Sequence, residues 1–240
     1  MDLNIDAEWE SYVDATKRGD TLKVIKPIAS KIEDYDDLSI LPKCEELYIS
    51  TTTKVLYLNR PIDINRIFWE IPVVDYWKPE RGVIKKQMKV VSHTKEEHTS
   101  YCEKLPTLNY YTEHIIKSID NPTARRNKFK DERKITVGIS KRDIMNCRGK
   151  AKNAFYNCFA LILRFMYNGN YREIHAKVFN TGKMEIPGIL NTELLDKSKE
   201  MIMTLLTPLI EDHIEFSETN EENNVLINSN FNCGYYINRD

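Results

Sequence analysis

The sequence predicts an α+β fold, an antiparallel sheet with helices on one face, and three stretches predict it. Cys158–Gly188 (CFALILRFMYNGNYREIHAKVFNTGKMEIPG) sets apolar runs around two turn signals, Asn168-Gly169-Asn170 and Asn180-Thr181-Gly182, the pattern of a three-strand meander. Next, Asn191-Thr192-Glu193 opens a run in which Leu194, Leu195, Ile202, Leu205, Leu206 and Leu209 recur at helical spacing, with Met201 widening the stripe. Earlier, Glu45–Asn59 is rich in Thr, Tyr, Val and Leu and reads as one strand or a bent pair. A helix follows it, with Asp63 as N-cap, Ile64, Ile67 and Phe68 on the buried side, and Pro72 as its stop.

The meander's middle strand alternates cleanly. Ile174, Ala176 and Val178 point one way and His175, Lys177 and Phe179 the other. Because strand side chains have period two, the first set faces a core, which the helix after Asn191 should cover. The second set puts a large aromatic beside a lysine and a histidine on the uncovered face, and the partner this suggests is DNA.

Composition narrows the classes. The chain has 240 residues, 41% of them hydrophobic and 30% charged, enough for a sizeable core and typical of a globular protein. No apolar run reaches the length of a membrane span, and MDLNIDAEWE lacks the order of a signal peptide. Five scattered cysteines without a CxxC pair fit free thiols in a reducing compartment and give no zinc site. His93 and His98 lie five apart, which does not put them on one helical face. With no GxSxG, HExxH, P-loop or GxGxxG either, the sequence points away from an enzyme and implies no cofactor.

The formal net charge of −1 conceals an asymmetry. Between Ala124 and Lys152 eleven Lys and Arg stand against only Asp131, Glu132 and Asp143, which suggests one surface turned toward a polyanion.

The remaining stretches complete the plan. Residues 1–43 read as an N-terminal helical extension, with stripes at Trp9, Tyr12, Val13 and at Leu22, Ile25, Ile28, Ile32. A domain over 44–210 carries a basic insertion at about 77–152. Within it the pattern predicts one helix near Tyr110–Ile119 and a long basic loop over the sheet edge. An acidic linker at 211–222 leads to a last strand around Val225-Leu226-Ile227.

The order strand, helix, insertion, meander, long helix, linker, strand resembles one repeat of the TATA-binding protein family plus the opening of the next. The matching pieces are IDINRI (Ile62–Ile67), ALILR (Ala160–Arg164), FNTGKM (Phe179–Met184) followed by Gly188, and NNVLINSN (Asn223–Asn230). They cover about 45–76 and 153–240, and the likeness is greatest to the divergent members in large nucleocytoplasmic DNA viruses. The resemblance implies a curved, saddle-like sheet lying in the DNA minor groove, helices on the convex side, and phenylalanines wedged between base steps. It puts Phe179 at a wedge position, Thr181 and Lys183 at groove or phosphate contacts, and Arg164 on a phosphate. Lys177 shares the open face.

Departures accompany it. The other wedge position falls on Cys158, while Phe159 has core parity unless a bulge turns it outward. Pro187 replaces a threonine, and Glu185 adds a negative charge beside a phosphate backbone. Leu47 replaces a groove-reading asparagine that Asn224 restores in the second repeat, with Leu226 for the accompanying valine. The second repeat stops after its first strand, so a missing repeat or a second copy would complete the saddle. Two functions remain open. One is a transcription initiation factor on double-stranded, AT-rich promoter DNA. The other is a saddle-fold module that recruits RNA polymerase or basal factors without touching DNA. Neither involves a membrane. The resemblance implies an intracellular setting: host cytoplasm or nucleus, a viral factory, or the virion.

Overall fold

A computed structural model describes residues 44–145, 155–217 and 223–234. The expected N-terminal helical extension lies outside the described residues. Glu46–Phe231 form one compact unit, built on eight strands: β1 Tyr48–Tyr57, β2 Gly82–Ser92, β3 Tyr111–Asp120, β4 Phe129–Gly138, β5 Cys158–Tyr167, β6 Asn170–Phe179, β7 Lys183–Ile189 and β8 Asn223–Asn230. They form one open, curved antiparallel sheet in the order β3-β4-β2-β5-β6-β7-β1-β8. Register slips bend it: β1 against both β7 and β8, β2 against β5 between Val83 and Lys85, and β3 against β4 between Ile115 and Lys117.

Among the described residues four α-helices accompany the sheet: α1 Ile64–Glu70, α2 Lys95–Lys104, α3 Lys141–Met145 and α4 Thr192–Leu206. Asp63 caps α1 by accepting from Asn65 N at 3.0 Å and Arg66 N at 3.2 Å, and Asn191 caps α4 by accepting from Leu194 N at 2.9 Å. These caps satisfy amides the first turn leaves free, which is why both starts were legible.

One parity of the strands packs against α1, α2 and α4. Met88, Ile135, Phe159, Leu161, Ile174, Ala176, Val178, Met184 and Ile186 join Ile67 and Phe68 of α1, Tyr101 of α2, and Leu194, Leu195, Ile202 and Leu206 of α4. Each large aliphatic or aromatic so buried contributes roughly 1.5–3 kcal/mol. From the nominal linker, Ile214 also enters this core, and Phe216 bridges to Leu58.

The insertion departs from expectation. Tyr110–Ile119 is not a helix: β3 occupies Tyr111–Asp120 and pairs along its length with β4. Its Thr and Ile residues favour the pleated conformation. Nor is the basic segment a loop over the edge, since β4 pairs residue by residue with β2. Strand β2 and helix α2 were also unforeseen. Helix α2 starts at Thr94, whose Oγ1 accepts from Glu97 N at 3.2 Å, while the Glu97 carboxylate accepts from His93 N at 2.7 Å. This Thr-x-x-Glu pattern is close to a capping box.

Charges buried on the helix side hold the insertion in place. Lys86 is 1% exposed and donates to Phe68 O and Ile71 O at 2.6 Å each, closing the C-terminal end of α1. Burial pulls its pKa down to about 8. Asp131, 2% exposed, accepts from Arg133 Nε at 2.7 Å and Nη2 at 3.2 Å, and Arg133 reaches Glu113 at 3.0 Å.

Helices do not all lie on one face, as the sequence suggested. Helix α3 bonds instead to Lys85 and Glu173, whose parity is opposite to the core-facing set.

Candidate nucleic-acid interface

The parity that buries Ile174, Ala176 and Val178 turns Phe179, Lys177, His175 and Glu173 to the open face. Cross-strand register completes the rows: Phe179 opposite Cys158, Lys177 between Ala160 and Glu185, His175 opposite Ile162, and Glu173 opposite Arg164. Beyond β5 the rows run on into β2 and β4, since Lys85 pairs with Ile162 and with Gly138, and Gln87 with Ala160 and Thr136. The same parity adds Lys89, Lys134, Glu132 and Lys130. Basic side chains outnumber acidic ones across this surface.

Around the wedge position, Phe179 is half-buried and Lys183 Nζ stands 5.4 Å from its ring centroid. Glu185 bridges two lysines, accepting from Lys183 Nζ at 2.9 Å and Lys177 Nζ at 3.2 Å. Burial alone would raise the Glu185 carboxyl, but these bonds outweigh it and hold it below the usual carboxylate range. Further along, hydrogen bonds from Lys130 and Lys89 hold Glu132 at about 2. Glu185, which the sequence set as a negative charge beside phosphate, thus holds two lysines in place, as Glu132 does further along.

The other expected contacts fall in varied places. Thr181 is exposed in the β6–β7 turn and Pro187 is half-exposed on the open face. Gly182 shapes that turn with φ +83°, and a Cβ there would come within 2.3 Å of Arg60 O, so the FNTGKM glycine is required sterically. Phe159 is fully buried against Phe68, with ring centroids 6.3 Å apart, so no bulge turns it outward. Cys158 has open-face parity but is 6% exposed, and burial pushes its thiol up; it cannot act as a protruding wedge. Arg164 is likewise buried, and its guanidinium donates to Glu80 O at 3.1 Å, Tyr76 O at 2.6 Å and Lys78 O. A phosphate contact would have to break that clamp. Leu226 is exposed on β8 and pairs with Thr53; Asn224 pairs through its backbone with Lys54, and its side chain is outside the described residues. Leu47, just before β1, is also exposed. Three strand spacings separate β8 from β6, roughly 14 Å, so Leu226 and Asn224 lie on the edge strand farthest from Phe179 on that side.

Sequence reasoning missed the β2 lysines and the setting of His175, while the β4 lysines fall in the basic stretch it had turned toward a polyanion. Alternating Lys85, Gln87 and Lys89 was the available signal. His175 Nε2 is buried and, among the described residues, has no hydrogen-bond partner. Burial, with repulsion from Lys177, Lys85 and Arg142, pulls its pKa to about 4.

Among the described residues no group of three His, Cys, Asp or Glu could hold a metal, and no helix is long and apolar enough to cross a membrane. Comparison with family models, curated proteins and solved structures returns no match.

Proposed function

We propose that this protein is a TATA-binding-protein-like transcription initiation factor that contacts duplex DNA through the open face of its sheet. One observation carries the reading: the face opposite α1, α2 and α4 joins Phe179 to a lysine-rich surface running from β7 through β4. Positive charge spread over several strands suits a regular polyanion, and an open-face aromatic suits base-step insertion.

A second feature supports the family. Strands β1 and β8, each the opening strand of a repeat in the resemblance, pair antiparallel over Tyr48–Val55 and Asn223–Asn230. Antiparallel pairing of equivalent strands is what a local two-fold between repeats produces. AT-rich promoter DNA is the substrate this kinship favours, with basal factors or polymerase on the helix side. A second copy or a further repeat would extend the sheet beyond β8.

The competing reading, a recruiting module without DNA contact, draws on Arg164 and Cys158, which are buried where DNA contacts were expected. Gel shifts with AT-rich and GC-rich duplexes across a salt series separate the two. The DNA reading predicts binding that weakens steeply with salt and falls on Phe179→Ala. Complete absence of binding at low salt leaves the recruiting module.

A further inference from the structure

One helix occupies the surface just assigned to DNA. At the end of β4, Gly138 takes φ +84°, and a Cβ there would lie 2.1 Å from Ile84 O, so the chain turns at a position only glycine fits. It then forms α3 on the open face. Asp143 accepts from Lys85 Nζ at 2.6 and 2.8 Å and from Ser140 N and Oγ at 2.9 and 2.6 Å. Lys141 N donates to both Glu173 carboxylate oxygens at 3.1 Å. The helix thus stands over the row Lys85, Ile162, His175.

Its hold is polar. No residue of α3 is buried, and Ile144 and Met145 are 57% and 75% exposed, so little apolar burial keeps it there. On the same row the His175 ring nitrogen is buried and, among the described residues, has no hydrogen-bond partner, an arrangement that costs stability. The Asp143 carboxylate on Lys85 has the charge and the hydrogen-bonding geometry of a nucleic-acid phosphate oxygen on a lysine.

We propose that α3 is an internal competitor for the duplex: it covers the Lys85–His175 row, with Asp143 standing where a phosphate binds, and DNA must displace it. This rests on the open face being the DNA surface. Displacement would expose Lys85 and His175 to the backbone, and DNA affinity would be reduced by the fraction of molecules in which the row is covered.

The test uses the full chain and a fluorescent AT-rich duplex, comparing wild type, Asp143→Asn and Glu132→Gln. Each substitution removes one negative charge from the same face, but Glu132 contacts Lys89 and Lys130 rather than α3. Asp143→Asn is expected to bind about tenfold tighter, as a closed fraction of about nine-tenths requires, and Glu132→Gln about twofold at most. Hydrogen exchange should show the Asp143 and Ile144 amides, bonded to Ser140 O, losing protection when duplex binds. Equal gains for the two variants, with those amides still protected in the complex, would overturn the competitor while leaving DNA binding intact. No binding by any of the three proteins would overturn the DNA reading itself, and the competitor with it.

Discussion

The meander β5–β7 and the inserted block β2–β4 share one sheet and are built on different principles. In the meander β6 and β7 alternate apolar with polar residues while β5 is almost wholly apolar, turns carry Asn and Gly, and the inner face is mainly hydrocarbon. In the insertion the inner face includes Lys86, Asp131 and Arg133, neutralised by carbonyls and by one another. The first kind of sheet is specified by hydrophobic burial, the second by polar partners that only the fold assembles. The proposed DNA surface divides along the same line. The meander presents Phe179, while the insertion brings most of the added lysines and the helix that covers some of them.

The largest effects should come from the hydrocarbon side. Phe159→Ala should cost about 3–5 kcal/mol in chemical unfolding, because the ring is fully buried. Phe179→Ala, on the open face of the same meander, should change stability by less than about 1 kcal/mol while weakening DNA binding. Equal destabilisation by the two would break the parity argument.

Acid probes the face under α3. His175 is neutral in the fold, at about 4 against an ordinary 6.5, so the unfolded chain binds more protons between those values. Its contribution is complete above pH 6.5 and is lost as pH falls toward 4, by on the order of 3 kcal/mol. A His175→Gln variant should lose less stability over that window in thermal melts. A smaller effect belongs to the insertion: Lys86→Met leaves the carbonyls of Phe68 and Ile71 without their donor, at a cost of about 1–3 kcal/mol near pH 7. Because Lys86 sits at about 8 in the fold against 10.5 unfolded, the wild type should gain stability from pH 8 to 10.5 relative to the variant. A constant gap between them would show that Lys86 does not titrate as its burial requires.

Legibility in the sequence followed the same division. Asp63, Asn191 and the two Asn-Gly-type turns announce local structure by themselves, and strand parity placed Phe159 inside and Phe179 outside. It failed where burial involved charge. Val83, Lys86 and Met88 face the core of β2 across a bulge, so the period-two signal is interrupted by both a lysine and an extra residue. Helix α2 buries only Tyr101, leaving almost no stripe to read, although Thr94 and Glu97 marked its start. Arg164 shows the limit for sites: its type and position suited a phosphate, yet its partners are carbonyls of Tyr76, Lys78 and Glu80, more than eighty residues earlier.

The central claim, that the open face engages DNA with Phe179 as a wedge, is tested most directly by energy transfer between dyes at the two ends of a short AT-rich duplex. Wild-type protein should bring the ends closer, and Phe179→Ala, at saturating concentration, should do so less. A duplex bound at saturation whose ends stay as far apart as in free DNA, or whose bend is unchanged by Phe179→Ala, would contradict it.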